Sequence, residues 1–149
     1  MNRDFLQTMF KRLLNAPKIF RNLSMLVIAE KKINESDYDA ALEIIEKIKW
    51  EKVYAEAKLM KAKCLIQKGM NKEAVITLQL ANVDIENRLK KSDKKDYLNL
   101  YCMILIEEAS GETIHPPTLS KLYERIDFPK VPERIKRQFP ITVSGTVIT

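Results

Sequence analysis

The chain has 149 residues, a formal net charge of +6 and a hydrophobic fraction of 46%. A domain of this length buries roughly 68–70% of the surface of its unfolded chain, so it needs neither a disulfide nor a metal ion to fold. With only 3 glycines and 6 prolines, turns are few. Composition therefore argues against a disulfide-stapled secreted domain and predicts an all-α protein.

The two cysteines, Cys64 and Cys102, each lie inside an apolar helical pattern. They form no cysteine framework, and the sequence shows no signal-peptide pattern. We therefore expect both to be reduced core residues in a cytoplasmic protein.

Positive charge is concentrated at the two ends of the chain. Residues 1–28 carry five basic and one acidic residue, residues 130–149 carry four and one, and residues 29–129 carry 17 and 18. A nucleic-acid-binding domain more typically concentrates Lys and Arg on one face of its core. The flanks nevertheless keep nucleic-acid binding open as an alternative function. Their candidate contact residues are Lys11, Arg12, Lys18, Arg21, Arg134, Lys136 and Arg137.

The first predicted element is a basic amphipathic helix within residues 1–21. Basic helices of this type dock onto their own domain, lie at a membrane surface or serve as targeting peptides. Docking onto the core is the preferred interpretation, with membrane association left open. The apolar side carries Phe5, Leu6, Met9, Phe10, Leu13 and Leu14, and the basic side carries Arg3, Lys11 and Arg12.

Six apolar patterns of helical period follow. Pro17 suits the first turn of the first of them, and Gly69 suits a left-handed helix stop. The run from Leu100 to Ile106 is apolar throughout, but its seven residues fall far short of the ~20 that span a bilayer. We therefore expect no transmembrane segment. The patterns cover residues 18–33, 38–50, 52–68, 71–89, 97–109 and 119–126.

Residues 128–149 are predicted to form a basic and then β-prone tail. One or two helical turns are expected from Glu133 to Phe139, before Pro140. The final ITVSGTVIT is rich in β-branched residues, and Ser144-Gly145 suits a tight turn. Because a lone two-stranded hairpin is marginal, an extended, disordered tail is expected. Pairing within an oligomer or with a partner's sheet edge stays open.

The middle of the chain repeats with an offset of 33 residues. Each unit consists of a first helix, a tight turn and a second helix. The aligned pairs are Leu26 with Leu59, Ala29 with Ala62, Ser36 with Gly69, Ala41 with Ala74, Leu42 with Val75 and Ile45 with Leu78.

This arrangement resembles the tetratricopeptide repeat, a helix hairpin of about 34 residues. In that family small residues allow close helix packing and a glycine closes the turn, and Ala62, Gly69, Ala74 and Ala81 occupy those positions. A weaker third unit has Gly111 as its turn. The resemblance implies a short solenoid of two to three hairpins over residues 22–127, with an irregular helical bundle as the alternative.

In the resembling family, the first helices line a groove that holds a peptide from a partner protein. Several of the corresponding residues are apolar, which favours a hydrophobic or amphipathic partner segment. The alternative is that the chain's own N-terminal helix fills the groove. The Lys and Asn with which family members bind a terminal carboxylate are absent, which favours a small chaperone, assembly factor or inhibitor. The predicted groove residues are Leu26, Glu30, Ile33, Glu56, Leu59, Lys63 and Ile66.

The sequence contains no recognisable catalytic constellation. His115 is the only histidine and lies beside two prolines, and neither cysteine has a His or a second Cys at metal-ligand spacing. We therefore expect a non-enzymatic protein without metal or cofactor that binds a protein or peptide partner. Homo-oligomerisation stays open.

Overall fold

The computed structural model describes residues 3–4, 7–8, 11, 17–113, 116–143 and 146–147. The architecture is all-helical, as predicted. From residue 17 onward, the α-helices of the described part are α1 (Lys18–Asn34), α2 (Tyr38–Ile45), α3 (Tyr54–Gln67), α4 (Asn71–Arg88), α5 (Asp93–Ser110), α6 (Pro116–Arg125) and α7 (Glu133–Gln138). Two short 3-10 helices, Glu51–Val53 and Phe128–Lys130, precede α3 and α7.

The first six helices form three consecutive hairpins. Helix α1 packs on α2, α3 on α4, and α5 on α6. The hairpins also contact one another in chain order, through α2 with α3 and α4 with α5. Because α3 touches both α1 and α5, the three first helices α1, α3 and α5 lie side by side.

The three hairpin turns each contain a residue with a left-handed backbone conformation. Ser36, Gly69 and Gly111 each follow a first helix and have φ of 59°, 77° and 71°. Around the first turn, the N–H groups of Ser36 and Asp37 donate to residues three and five positions earlier, and Gly69 and Met70 do the same around the second. These bonds satisfy the last carbonyls of a helix that ends in a left-handed residue. The 33-residue offset is therefore also an offset between equivalent turns.

Small side chains lie where the hairpin helices meet. Ala29 and Ala62 in the first helices and Ala41, Ala74 and Ala81 in the second helices are all 0% exposed. A methyl side chain lets two helix backbones approach closely, and the surrounding apolar residues then exclude water from the contact.

The second helix of the first hairpin is shorter than predicted. It ends at Ile45 instead of near Trp50, and Trp50 has extended dihedral angles. The side-chain oxygen of Asn22, which is buried, accepts a hydrogen bond from the backbone N–H of Lys49 at 2.8 Å. This contact satisfies a backbone donor after the helix has ended and supports the irregular connection to α3.

The C-terminal residues differ from the tail expected from the sequence. The predicted helical turns are present as α7, but residues 131–141 pack against the hairpins, with Val131, Ile135, Phe139 and Ile141 all buried. Beyond them, Thr142–Val143 and Thr146–Val147 pair with each other as two short antiparallel strands. Residues 131–141 thus do not form an extended tail, because four apolar anchors attach them to the core. The expectation of disorder concerned only the final ITVSGTVIT, within which the described Thr142–Val143 and Thr146–Val147 are paired.

Replacing Ser36 with glycine should stabilise the protein by about 0.5–1 kcal/mol. A left-handed backbone costs an L-residue roughly 1–2 kcal/mol, and the extra unfolded-state freedom of glycine offsets part of this gain. Urea unfolding of wild type and Ser36→Gly measures the difference. Gly69→Ala is the matched control and should lose about 1 kcal/mol through backbone conformation alone, since no atom lies within 4 Å of the added Cβ. A less stable Ser36→Gly variant would contradict this account.

The two cysteines are buried and unpaired, as predicted. Burial raises the pKa of the Cys64 thiol from 9.0 to about 11 and that of Cys102 to about 12. The Cys102 sulfur also lies 3.4 Å from the carbonyl oxygen of Leu78, to which it donates. Both thiols therefore stay protonated in the folded protein at pH values where the unfolded chain ionises them.

The free energy of unfolding should fall between pH 8 and pH 10 by about 1 kcal/mol for each thiol. Above pH 9 the unfolded state loses thiol protons that the folded state keeps, so rising pH favours unfolding. Urea unfolding at the two pH values should show a smaller decrease for Cys64→Ala/Cys102→Ala than for wild type. Equal decreases in the free energy of unfolding would mean that the thiols contribute nothing to its pH dependence.

Candidate functional site

The face shared by α1, α3 and α5, which we call the groove, is occupied by the chain's own C-terminal segment, residues 128–141. Helix α7 lies in the middle of that segment. Side chains from all three first helices contact it, as the following hydrogen bonds and ring contacts show. The helix face on which the groove was predicted therefore carries an intramolecular occupant.

The central polar contact joins Glu56 of α3 to the C-terminal segment. Glu56 is 1% exposed, and its carboxylate oxygens lie 2.7 Å and 3.4 Å from the two terminal guanidinium nitrogens of Arg134. On the same carboxylate, one oxygen lies 3.0 Å from the Nζ of Lys94 in α5. A buried carboxylate needs cationic partners of this kind, because burial without them costs several kcal/mol. Glu56 thus ties α3, α5 and α7 together.

A second carboxylate, that of Glu30 in α1, binds the last two residues of α7. The Nε of Arg137 lies 3.3 Å from one oxygen of Glu30, and the Nε2 of Gln138 donates to the other at 3.2 Å. Lys63 of α3 donates to the carbonyl oxygen of Gln138 at 3.2 Å. Burial lowers the pKa of Lys63, and the nearby Glu30 is among the charges that oppose this. The groove therefore pairs two carboxylates with two arginines that are three residues apart.

Aromatic contacts anchor the end of the segment. Phe139 is 0% exposed and meets the ring of Tyr101 edge-on, with centroids 5.2 Å apart. The hydroxyl of Tyr97 donates to the carbonyl oxygen of Phe139 at 2.6 Å. Burial raises the pKa of Tyr97 from 10.0 to about 12, which extends to higher pH the range over which this hydroxyl can donate. Phe128 packs edge-on against Tyr97 at 6.0 Å and attaches the start of the segment.

The structure separates the predicted groove residues into three kinds. Leu26 and Leu59 are 0% exposed and belong to the same apolar core as Ile135 and Phe139 of the C-terminal segment, so neither has surface open to a partner while the segment is seated. Glu30 and Glu56 bind the C-terminal segment. The remaining three, Ile33, Lys63 and Ile66, together line a cavity of about 290 Å³ that also involves Tyr38, Tyr101, Leu105 and Glu108. We call it the turn-end cavity, because Ile33 and Ile66 lie near the hairpin turns.

The predicted basic contact residues are also divided. Arg134 and Arg137 bind groove carboxylates, and Lys136 pairs with Glu133 at 2.8 Å, so each of these three side chains has an acidic partner within the chain. Of the N-terminal candidates, Lys18 is exposed and Arg21 is half-buried. Lys11 is exposed but makes a contact within the protein.

Arg12, His115 and the residues predicted to form the apolar side of the N-terminal helix lie outside the described residues. Residues 3–4, 7–8 and 11 are helical, and the hydroxyl of Thr8 donates to the carbonyl oxygen of Asp4 at 2.9 Å. The sequence left open that the N-terminal helix fills the groove. In the structure the groove holds α7, which comes from the opposite end of the chain.

In comparisons with known proteins, no family model, no curated protein and no solved structure matches this chain. The resemblance to tetratricopeptide repeats therefore stays a prediction from the sequence pattern. Within the part of the chain that the structure describes, no helix combines the length and the apolar character that crossing a membrane requires.

Replacing Arg134 with alanine should loosen the C-terminal segment. Hydrogen bonds to a charged group contribute about 1.5–3 kcal/mol, so the segment should open roughly ten- to a hundredfold more often. Limited trypsin digestion monitored by mass spectrometry measures the rate of cleavage after Lys130, Lys136 and Arg137.

The control for this digestion is Lys130→Ala, which also removes one tryptic site. Lys130 is 72% exposed and its ion pair with the half-exposed Asp127 spans 3.5 Å, an arrangement that contributes little to stability. Equal protease sensitivity of the two variants would show that the Arg134 contact does not hold the segment.

Proposed function

We propose that this protein is a non-enzymatic interaction module with tetratricopeptide-like hairpins, whose groove binds a short basic amphipathic helix of a partner protein. The observation that supports this proposal is the seating of residues 133–139 in the groove. A protein surface that holds one such helix has the shape and charge to hold another of the same chemistry.

The bound segment indicates the ligand chemistry that the groove accepts. Two arginines three residues apart, Arg134 and Arg137, lie one turn from each other on a helix, and each pairs with a carboxylate from a different first helix. Arginine and carboxylate groups form directional, charge-assisted hydrogen bonds. Ile135 and Phe139 provide the apolar part of the contact. A partner should therefore present two basic residues one turn apart and an aromatic or aliphatic residue after them.

A partner has to displace the chain's own segment, which has the advantage of being tethered. Tethering gives the internal segment an effective concentration in the millimolar range for short flexible connections. The turn-end cavity offers a compensating gain, because the half-buried Ile33 and Ile66 line it beside the seated segment. A partner helix that also filled this cavity would bury apolar surface in addition to making the charged contacts.

The groove should bind a basic helical peptide in trans once its internal occupant is weakened. The proposed receptor is the full chain with Arg134→Ala/Phe139→Ala, and the probe is a fluorescein-labelled peptide of the wild-type residues 128–143. Fluorescence anisotropy should show binding to this variant at least about tenfold tighter than to wild type, whose own segment competes. Tenfold corresponds to about 1.4 kcal/mol.

The control peptide carries Arg134→Glu and Arg137→Glu and should not bind, because its carboxylates would face those of Glu30 and Glu56. A circular dichroism spectrum of the double variant verifies that the hairpins remain folded. A folded variant that binds neither peptide, or both equally, would refute the groove as a receptor for basic helices.

A further inference from the structure

The third hairpin departs from the other two at one packing position. Ala29 and Ala62 lie seven residues before the turn residues Ser36 and Gly69, and both are 0% exposed. The equivalent position before Gly111 is Ile104, which is only half-buried. A branched side chain in place of a methyl group prevents the close helix approach that alanine allows.

A cavity of about 740 Å³ lies between α5 and α6 at this point. We call it the third-hairpin cavity. Its volume falls within the roughly 300–1,000 Å³ typical of ligand-binding sites. Its apolar surface comes from both helices and from the C-terminal segment. The apolar lining residues are Leu100, Ile104, Leu119, Tyr123 and Ile141.

The charged residues of the third-hairpin cavity all have one sign. Glu107, Glu108 and Glu124 line it, and the described lining residues include no Lys or Arg. Glu107 is half-buried, whereas Glu108 and Glu124 are exposed. An apolar floor with carboxylates around it is complementary to an apolar ligand surface that carries positive charge at its margins.

The cavity lies on the side of α5 that faces away from the second hairpin. Cys102 and Asn99 of α5 bond to Leu78 and Glu86 of α4. Leu100 and Ile104 are each two residues from Cys102, and two residues turn an α-helix by roughly 200°. The cavity-lining side of α5 is therefore opposite the side that packs on α4.

This position is where the next helix of a hairpin stack would pack. Helix α3 covers α2 of the first hairpin, and α5 covers α4 of the second. Among the described residues, the helix that follows α6 is α7, which lies in the groove instead. In repeat proteins, the last hairpin needs a cap to cover the apolar surface that the next repeat would otherwise bury.

We propose that the third-hairpin cavity docks a helix from a partner protein, which packs as the next helix of the stack. An apolar stripe of this partner helix enters the cavity, and Lys or Arg residues beside the stripe lie over Glu107, Glu108 and Glu124. This surface is separate from the groove and is formed while the C-terminal segment is seated, because Ile141 is part of its wall.

The test uses the full wild-type chain and two designed helical peptides with the same leucine stripe, one flanked by lysines and the other by glutamates. Fluorescence anisotropy should show the lysine-flanked peptide binding at least about tenfold tighter. The variant Glu107→Lys/Glu124→Lys should reverse this preference and bind the glutamate-flanked peptide. Such a reversal cannot come from an unfolded variant.

Two further variants identify where the peptide binds. Glu43→Lys/Glu73→Lys changes two exposed carboxylates on α2 and α4 and should leave the preference for the lysine-flanked peptide unchanged. Ser120→Trp places a large ring at an exposed cavity position and should abolish binding of both peptides. The proposal is overturned if the two charge-reversal variants behave alike, if wild type binds both peptides equally or neither, or if Ser120→Trp binds as wild type does.

Discussion

The buried carboxylate of Glu56 needs cationic partners, and the rest of this fold has to supply them. It comes from the second hairpin, yet both of its cationic partners lie elsewhere, Lys94 in the third hairpin and Arg134 in the C-terminal segment. Removing a charge from water is costly unless its partners are fixed nearby. Glu56 therefore links three parts of the chain that local helix propensity alone would leave independent.

The hairpins were predictable because their signals are local. The helical patterns and the left-handed stop at Gly69 follow from rules that operate over a few residues. The packing alanines and the turn role of Ser36, whose backbone is left-handed, were inferred from the 33-residue repeat and its resemblance to tetratricopeptide repeats. Small residues at a fixed offset indicate where helices approach each other.

The occupied groove could not be predicted in the same way. Arg134 reaches Glu56 across 78 positions of sequence, and Arg137 reaches Glu30 across 107. Helix α7 has only six residues, so its own periodicity is too short to indicate which surface it meets. Periodicity identifies the apolar side of a helix but not what covers it. The available signal was the coincidence of two carboxylates among the predicted groove residues with two arginines near the C terminus.

Ile141 connects the two proposed surfaces, since it ends the segment that fills the groove and forms part of the wall of the third-hairpin cavity. A partner that expelled the segment from the groove would remove that wall. Conversely, a helix docked in the cavity would hold Ile141, and with it the segment, in place. Each ligand would then weaken the other's affinity by the same factor, because the free energy of coupling between two sites is reciprocal. Binding of one partner would therefore disfavour binding of the other.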